Sequence, residues 1–189
     1  PENSNPCFRL SVPTGPRLSR RADWAEFDAL IDAADQLGFQ SVACAIAIST
    51  LNGQRREDIL TAQCAHFLDL KADAANGMPH DMLIWSRTLS KRGHHGVIPI
   101  HEEAAPRVRA LLDQAKPEQA YLLARSDNGE QYTGFLFTKH FSKVRAKAAT
   151  ACPSVASLQF RDLRRTFGKF SRAGGASKGD TADVLGNGA

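Results

Sequence analysis

Apolar residues recur every three or four positions in several stretches of the chain, which is the spacing of one face of an α-helix. The first stretch predicts a helix that Asp23 caps with Glu26 and that ends at Gly38, with Trp24 and Phe27 on its core face. Similar stretches predict helices at about 54–63, 102–115, 134–149, 161–173 and 178–186. The chain is therefore expected to be mostly helical.

Residues 42–48 are apolar on every side and have no polar stripe. Such a run fits either a buried strand or a helix that is enclosed by other elements. Its alanines and its length favour the helix. We therefore predict a central helix here, with a buried strand as the alternative.

Three short segments rich in aliphatic and aromatic residues predict strands, at 67–70, 82–85 and 97–100. The stretch 92–96 supplies a turn before the last of them, so the last two form a predicted hairpin. Pro99 has no amide hydrogen to donate, which places the last strand at the edge of the sheet. The predicted fold class is α+β, mostly helical, with a small antiparallel sheet packed against a helical bundle.

The 189 residues suit one domain. Residues 1–20 are rich in Pro, Asn, Ser and Arg, which is linker composition, and they are expected to tether residues 21–189 to an upstream domain. No apolar run approaches the roughly 18 residues that span a membrane, and no signal peptide is visible, so a cytoplasmic location is expected. The four cysteines show no metal-binding spacing and are expected to be free thiols.

The formal net charge is +4, and its distribution is more informative than its size. Between residues 161 and 178 the only carboxylate is Asp162, and the cations are Arg161, Arg164, Arg165, Lys169, Arg172 and Lys178. A solvated helix face normally mixes both signs, so this run favours a polyanionic partner. No Walker loop, dinucleotide fingerprint or acidic metal cluster is present, and we expect neither a cofactor nor a metal.

Two separated segments place arginines at the start of predicted helices, Gly53–Leu60 and Phe160–Phe167. The planar guanidinium matches the paired oxygens of a phosphate. Gly53 permits a tight turn, so that Arg55 and the amides of the following helix can face one anion. Asp58, one turn later, is predicted to hold the Arg55 guanidinium, although an ordinary surface ion pair is an equal alternative.

These segments resemble the two arginine boxes of the tyrosine recombinases, the phage-integrase family. The family's first box has the form Gly-x-Arg-x-x-Glu/Asp and is matched by Gly53, Arg55 and Asp58. The second has the form His-x-x-Arg and stands here as Arg161-Asp162-Leu163-Arg164. Lys91, eight residues before Pro99 on the predicted hairpin, has the spacing of the family's lysine.

The resemblance implies a prophage or genomic-island integrase that recombines double-stranded DNA through a 3′-phosphotyrosyl intermediate, without cofactor or metal. Arg55 and Arg164 would clamp the scissile phosphate, and Lys91 would protonate the departing 5′ oxygen. The family would also supply an N-terminal core-binding domain. The protein would be a homotetramer on DNA and a monomer or weak oligomer when free.

Two positions depart from the family's pattern. Arg161 stands where the second box usually has histidine, and Asn187 follows Leu-Gly where the family often has histidine. Neither side chain can accept a proton as a base. His94 and His95, near Lys91, are either replacements for that base or turn residues that touch DNA or nothing.

The family's nucleophilic tyrosine lies beyond the Leu-Gly-x element, on a C-terminal helix. Tyr121 and Tyr132 precede the second box and are predicted to be packing or surface residues. The sequence as given, to Ala189, is therefore expected to bind phosphate without cleaving DNA. The alternatives are a DNA-binding module that has lost cleavage and a helical interaction domain whose arginines pair with acids.

Further cations are predicted to contact the DNA backbone, with a simply solvated helix face as the alternative. The helix at 134–149 carries Lys139, His140, Lys143, Arg145 and Lys147 opposite its apolar stripe. The predicted DNA-contacting residues of the whole chain are Arg56, Arg92, His94, His95, Lys139, Lys143, Arg165 and Lys169.

Overall fold

The structure is a computed structural model, and it describes residues 20–73, 75, 78, 80–88, 95–125 and 128–185. The helices of this part are α1 (Trp24–Gln36), α2 (Gln40–Leu51), α3 (Arg56–Leu60), α4 (Ala105–Gln114), α5 (Gly134–Ala148), α6 (Phe160–Ala173) and α7 (Lys178–Val184). The strands are β1 (Phe67–Leu70), β2 (Met82–Thr88) and β3 (His95–Pro99). The predicted α+β class, mostly helical with a small antiparallel sheet, is confirmed.

Helix α2 is the centre of the fold. Every residue from Ser41 to Leu51 is buried, and α2 contacts α1, α3, α4, α5 and α6. A helix that is apolar all round needs neighbours on all sides, which explains why the run lacked a polar stripe. The predicted central helix is confirmed, and the strand alternative is wrong.

Helix α1 begins with the predicted capping box, in which Asp23 accepts from the amide of Glu26 and the Glu26 carboxylate accepts from the amide of Asp23. Gly38 follows the helix with φ +69°, the left-handed conformation expected of a C-terminal glycine. The assignment of Trp24 to the core was wrong. The residue is 47% exposed, because its ring packs at the edge of the core, where it stacks on the half-buried ring of Phe170 of α6 at a centroid distance of 4.4 Å.

The three strands form one antiparallel sheet in the order β1-β2-β3. Trp85 pairs with Phe67 on one side and with Ile98 on the other. Strand β3 lies at the edge, as Pro99 predicted. Strand β2 runs three residues further than predicted, to Thr88, and this extension brings Arg87 into the sheet.

Helix α3 is shorter than the predicted 54–63 segment. It begins at Arg56, and Arg55 lies at the N-cap with extended backbone angles, φ −73° and ψ 147°. Gln54 is fully buried and bonded to backbone carbonyls at 52 and 184, which holds the chain away from helical geometry before Arg56. Arg55 therefore projects from a bend in front of the helix.

The predicted linker lies outside the described residues except for Arg20. The Arg20 guanidinium bonds the buried carboxylate of Glu26 and donates to the carbonyl of Ser154 at 3.0 Å. This residue thus joins the start of α1 to the turn at Pro153–Ser157.

Candidate functional site

A cavity of about 520 Å³ opens between the α3 bend, α5 and the first turn of α6. Its floor includes the rings of Phe137, Phe141 and Phe160. Among the described residues that line it, Glu57 is the one carboxylate, against the arginines Arg55, Arg56, Arg145, Arg161 and Arg164. Five guanidinium groups over a partly apolar floor make a site for an anion, because low-dielectric walls strengthen the field of the charges.

Arg164 is held by backbone carbonyls on both sides. Its Nη1 donates to the carbonyl of Gly53 and its Nη2 to the carbonyl of Leu185, each at 2.6 Å. These bonds use two of the five N–H groups of the guanidinium, so the same fork has further donors for a ligand. The side chain is thereby oriented before any ligand arrives.

The pKa of Arg164 is lowered to about 10, chiefly because the group is buried and next because the positive charge of Arg55 lies close to it. The group still carries its proton at neutral pH. The lowered pKa reports two cations close together in a partly desolvated place, and an anion between them would relieve both effects. Arg55 and Arg164, which are 109 residues apart in the sequence, thus line one cavity.

Gly53 has no room for a side chain. Its φ is +64°, and a Cβ there would lie 2.4 Å from Cδ1 of Phe167 and 2.8 Å from Cδ2 of Leu185. Glycine is needed both for the backbone conformation and for this close packing. The tight turn predicted at Gly53 is confirmed, and its cause is the approach of α6.

Asp58 is buried, with 3% of its side chain exposed, so the alternative of an ordinary surface ion pair is wrong. Its nearest cation is Arg87, whose Nη1 lies 2.9 Å from Oδ2 of Asp58, whereas Nη1 of Arg55 lies 4.0 Å from the same oxygen. The sequence reasoning missed Arg87. The pattern that could have identified it was present, because Leu83, Trp85 and Arg87 are spaced two residues apart and therefore share one face of β2. The strand was expected to stop at Trp85.

Gln54 was also missed. It is fully buried, and its Oε1 accepts from Nη2 of Arg87 at 2.5 Å. Its Nε2 donates to the carbonyls of Asn52 at 2.5 Å and Val184 at 3.2 Å. No local pattern identifies such a glutamine, since its partners come from distant elements.

Four other predicted site residues lie at two different cavities. Arg161 and Arg56 line the cavity, and Arg56 also bonds Glu57 at 2.6 Å and Thr138 at 3.2 Å. Arg165 and Lys169 instead line a second cavity, of about 610 Å³, together with Arg21 and Arg172.

Helix α5 carries its predicted cations on more than one side. Lys139 and Lys143 are exposed and line neither cavity. Two residues expected on the polar face turn inward. Arg145 reaches the cavity and donates to the carbonyl of Leu158 at 2.9 Å, and the His140 ring stacks on Phe39 at 4.4 Å.

Several predicted site residues lie outside the described residues, namely Lys91, Arg92, His94 and Asn187, together with the side chain of His95. The strands on either side of 89–94 are described, and Thr88 pairs with His95 across the hairpin. Tyr132 is buried and bonds His140 at 3.0 Å, while Tyr121 is half-buried, in agreement with packing roles.

Within the described part of the chain, no group of three or more His, Cys, Asp or Glu side chains is arranged to hold a metal ion. In the same part, no helix has the length and apolar character needed to cross a membrane.

No protein-family model and no curated protein matches the chain. Solved structures do. The crystal structure of XerA recombinase superposes with a TM-score of 0.67 at 16% identity over 92% of this chain and 57% of that one. The lambda integrase catalytic core gives 0.63 at 14% identity over 88% of this chain and 90% of that one.

A lambda integrase tetramer bound to a Holliday junction gives a TM-score of 0.62 at 16% identity, over 90% of this chain and 47% of that one. The chain thus spans little more than half of the XerA recombinase structure, yet nearly all of the lambda catalytic core. At these identities the likeness establishes the fold.

Proposed function

We propose that this chain, which has the fold of the tyrosine recombinase catalytic domains, binds a DNA backbone phosphate in its arginine-lined cavity and serves site-specific recombination by strand cleavage and rejoining. The observation that carries the proposal is that Arg55 and Arg164, the arginines of the two recombinase-like boxes, line one cavity. Guanidinium forks bind the paired oxygens of a phosphate through two parallel hydrogen bonds, and duplex DNA presents phosphates in a regular array.

In this proposal, Arg55 and Arg164 bind the non-bridging oxygens of the scissile phosphate, and Arg161 adds a third cation at the rim. Their contribution grows as negative charge develops on those oxygens in the transition state. Arg164 needs little reorganisation, because Gly53 and Leu185 already fix its direction.

The chemistry proposed is nucleophilic substitution at phosphorus. The tyrosine that the family carries after the Leu-Gly-x element gives its phenolic proton to a base, for which His94 and His95 are the candidates. Its oxygen forms a bond to phosphorus as the bond to the 5′ oxygen breaks. Lys91 gives its proton to that oxygen, which leaves as a hydroxyl. The phosphotyrosyl bond preserves the energy of the broken linkage, so a second 5′ hydroxyl can reverse the step without ATP.

The partner is proposed to be double-stranded DNA, and the assembly a tetramer on it, by analogy with the lambda integrase tetramer on a Holliday junction. Cations outside the cavity would add contacts that bind the backbone without reading sequence. The exposed Lys139 and Lys143 and the second cavity with Arg165 and Lys169 are the proposed places.

The first test is the salt dependence of duplex binding by the full-length gene product. The slope of log K against log salt is about −0.9 per phosphate contacted. We expect the slope of Arg55→Gln/Arg164→Gln to be less steep by the amount that corresponds to one or two phosphate contacts. The charge-matched control is Lys71→Gln/Lys116→Gln, at exposed positions outside both cavities, and it should leave the slope unchanged. Equal slopes for the two double variants would contradict a phosphate site in the cavity.

The second test is covalent capture. Duplexes selected for binding from a randomised pool are nicked beside the bound site, so that cleavage releases a short strand and traps the protein on DNA. An adduct that survives denaturing gels and disappears with Arg164→Gln supports cleavage.

A DNA-binding module that has lost cleavage is the second candidate. It is favoured by Arg161, which lines the cavity at the position where the family's second box usually has histidine and which cannot act as a base. This candidate predicts the same salt slope and the same effect of the cavity variants, but no covalent adduct.

A further inference from the structure

We propose that Arg87 is a positioning residue for the phosphate clamp. Arg87 contacts Asp58 of α3 and Gln54 in the bend that precedes α3. Gln54 in turn bonds the carbonyl of Val184 at the C-terminal end of α7. The inference rests on the proposed function, because it concerns the arginines that would bind the phosphate. Arg87 does not line the cavity and would not touch the DNA.

Arg87 contacts two partners with its two terminal nitrogens, Asp58 through an ion pair and Gln54 through a hydrogen bond. Nη1 lies 2.9 Å from Oδ2 of Asp58, and Nη2 donates to Oε1 of Gln54 at 2.5 Å. The guanidinium carbon lies 4.9 Å from the ring centre of Trp85, and only 4% of the side chain is exposed. A planar guanidinium that is hydrogen-bonded at one nitrogen, ion-paired at the other and packed on an indole ring has little freedom to move.

The two partners flank Arg55 along the chain. Gln54 is the residue before it and Asp58 is one helical turn after it. Holding both from one buried group fixes the bend from which Arg55 projects. The position of Arg55 thus depends on Arg87, although the closest approach of Arg55 to Asp58 is 4.0 Å.

The same network also reaches Arg164. Gln54 donates to the carbonyl of Val184, and Arg164 donates to the carbonyl of the next residue, Leu185, as well as to Gly53. The α3 bend is therefore joined to the end of α7 twice, directly by the bond from Gln54 to Val184 and indirectly by Arg164, which bonds both Gly53 and Leu185. Because the direction of the Arg164 fork is set by these carbonyls, a shift of Gln54 would turn Arg164 as well.

Stability alone gives little reason for a buried ion pair here. Replacing such a pair by well-packed apolar side chains is often neutral or stabilising, because neither charge then has to leave water. A guanidinium does what an apolar side chain cannot, because it holds the Asp58 carboxylate by charge and fixes the direction of the Gln54 amide by a hydrogen bond. Because Arg87 belongs to β2, its contacts with Asp58 and Gln54 join this strand to the α3 bend.

The test removes the whole pair, in Arg87→Met/Asp58→Leu, so that no buried charge is left unpaired. The full-length protein is assayed for its melting temperature, its affinity for the selected duplex and its cleavage rate at saturating DNA. We expect cooperative unfolding, an affinity within a few fold of the unaltered protein, and a cleavage rate about 100-fold lower, which is what a misplacement of reacting groups by an ångström can cost.

The matched control is Arg107→Met/Asp35→Leu. This arginine bonds its aspartate through both terminal nitrogens, at 2.9 and 2.8 Å, and the pair is less buried than Arg87 and Asp58. It joins α4 to α1 away from the cavity, so the variant controls for the loss of an ion pair between elements. We expect it to leave the cleavage rate unchanged. A folded Arg87→Met/Asp58→Leu variant that cleaves like the control would overturn the proposal.

If the apolar double variant fails to fold, Arg87→Lys decides. Lysine keeps the charge beside Asp58 but is a point donor that cannot hold Gln54 in the same geometry. A folded Arg87→Lys variant with a cleavage rate at least about tenfold lower supports positioning, given the sensitivity of reaction rates to geometry. An unchanged rate overturns it.

If the unaltered protein binds the duplex but never cleaves it, the cleavage function fails and the positioning role is tested by chemical modification. Phenylglyoxal modification of Arg164, followed by mass spectrometry with and without the duplex, reports whether Arg164 engages DNA. Loss of duplex protection in Arg87→Met/Asp58→Leu, with protection kept in the Arg107→Met/Asp35→Leu control, supports the inference. Equal protection in both overturns it.

Discussion

The ring of Phe167 occupies the space that a side chain at Gly53 would need, since a Cβ there would lie 2.4 Å from Cδ1 of Phe167. Gly53 belongs to the first arginine segment and Phe167 to the second. Their contact, together with the bond from Arg164 to the Gly53 carbonyl, docks one segment on the other. The close approach of backbone to ring is what brings Arg55 and Arg164 to one cavity.

Gly53→Ala is therefore expected to destabilise the fold strongly and to separate the two arginines. A left-handed conformation costs a non-glycine residue about 1–2 kcal/mol, and the clash with Phe167 adds to that cost. The measurement is the free energy of unfolding in urea, with duplex affinity alongside.

Gly38→Ala is the matched control for this substitution. Gly38 has φ +69°, close to the value at Gly53, but nothing lies within 4 Å of its Cβ position. It should show the conformational cost without the clash. If the two alanine variants lose the same free energy of unfolding, the clash with Phe167 does not contribute to the loss at residue 53.

Arg164→Lys should abolish strand cleavage while largely preserving duplex affinity. Lysine keeps a positive charge in the cavity, but it cannot bond the carbonyls of Gly53 and Leu185 and bind a phosphate in one fixed plane. Cleavage is followed with nicked duplexes and affinity by fluorescence anisotropy. Cleavage at the unaltered rate would show that Arg164 does not act as a fork.

Arg164 should react with phenylglyoxal sooner than the exposed arginines do. The reagent attacks the neutral guanidine, and burial together with Arg55 lowers the pKa of Arg164 to about 10, so its neutral fraction is larger at any pH below that value. Modification should rise steeply with pH and be suppressed by inorganic phosphate or duplex DNA. Mass spectrometry after brief labelling at about pH 9 identifies the site, and Arg172 serves as an exposed reference. Slower labelling of Arg164 without any phosphate effect would contradict the described environment.

Glu26→Gln should destabilise the fold at neutral pH and have a smaller effect in acid. Burial by itself raises the pKa of Glu26, but its bonds from Arg20 and from the backbone amide of Asp23 outweigh burial and leave the pKa lowered. The carboxylate therefore adds stability above its unfolded pKa of about 4.3, and this part is lost as the pH falls through the lower folded value.

Glutamine can still accept the capping bond from Asp23, so the substitution isolates the charge. We expect a loss of about 1–3 kcal/mol at pH 7, typical of a hydrogen bond to a charged group. Urea unfolding at neutral and acidic pH measures it. A difference between the two proteins that does not shrink in acid would rule out the Arg20–Glu26 pair as its source.

Local pattern was enough to predict most of the fold. The capping box at Asp23, the left-handed Gly38 and the edge strand with Pro99 each depend on the residue itself and on neighbours within about one turn, and all three agree with the structure. The meeting of the two arginine segments was expected from the resemblance of their boxes, since no periodicity relates Arg55 to Arg164.

The tertiary structure decided the environment of those arginines. Gln54 bonds Arg87 and Val184, which lie 33 and 130 residues away in the sequence. Asp58 is buried beside Arg87, and Arg55 lies in front of the helix. The carbonyls at 53 and 185 orient Arg164, while Arg145 turns inward through a bond to the carbonyl at 158. The sequence by itself determined which segments are helical and which residues are positively charged, because those properties are local. Which charges are buried, paired and aimed at one point depends on packing between distant segments, and only the folded chain brings them together.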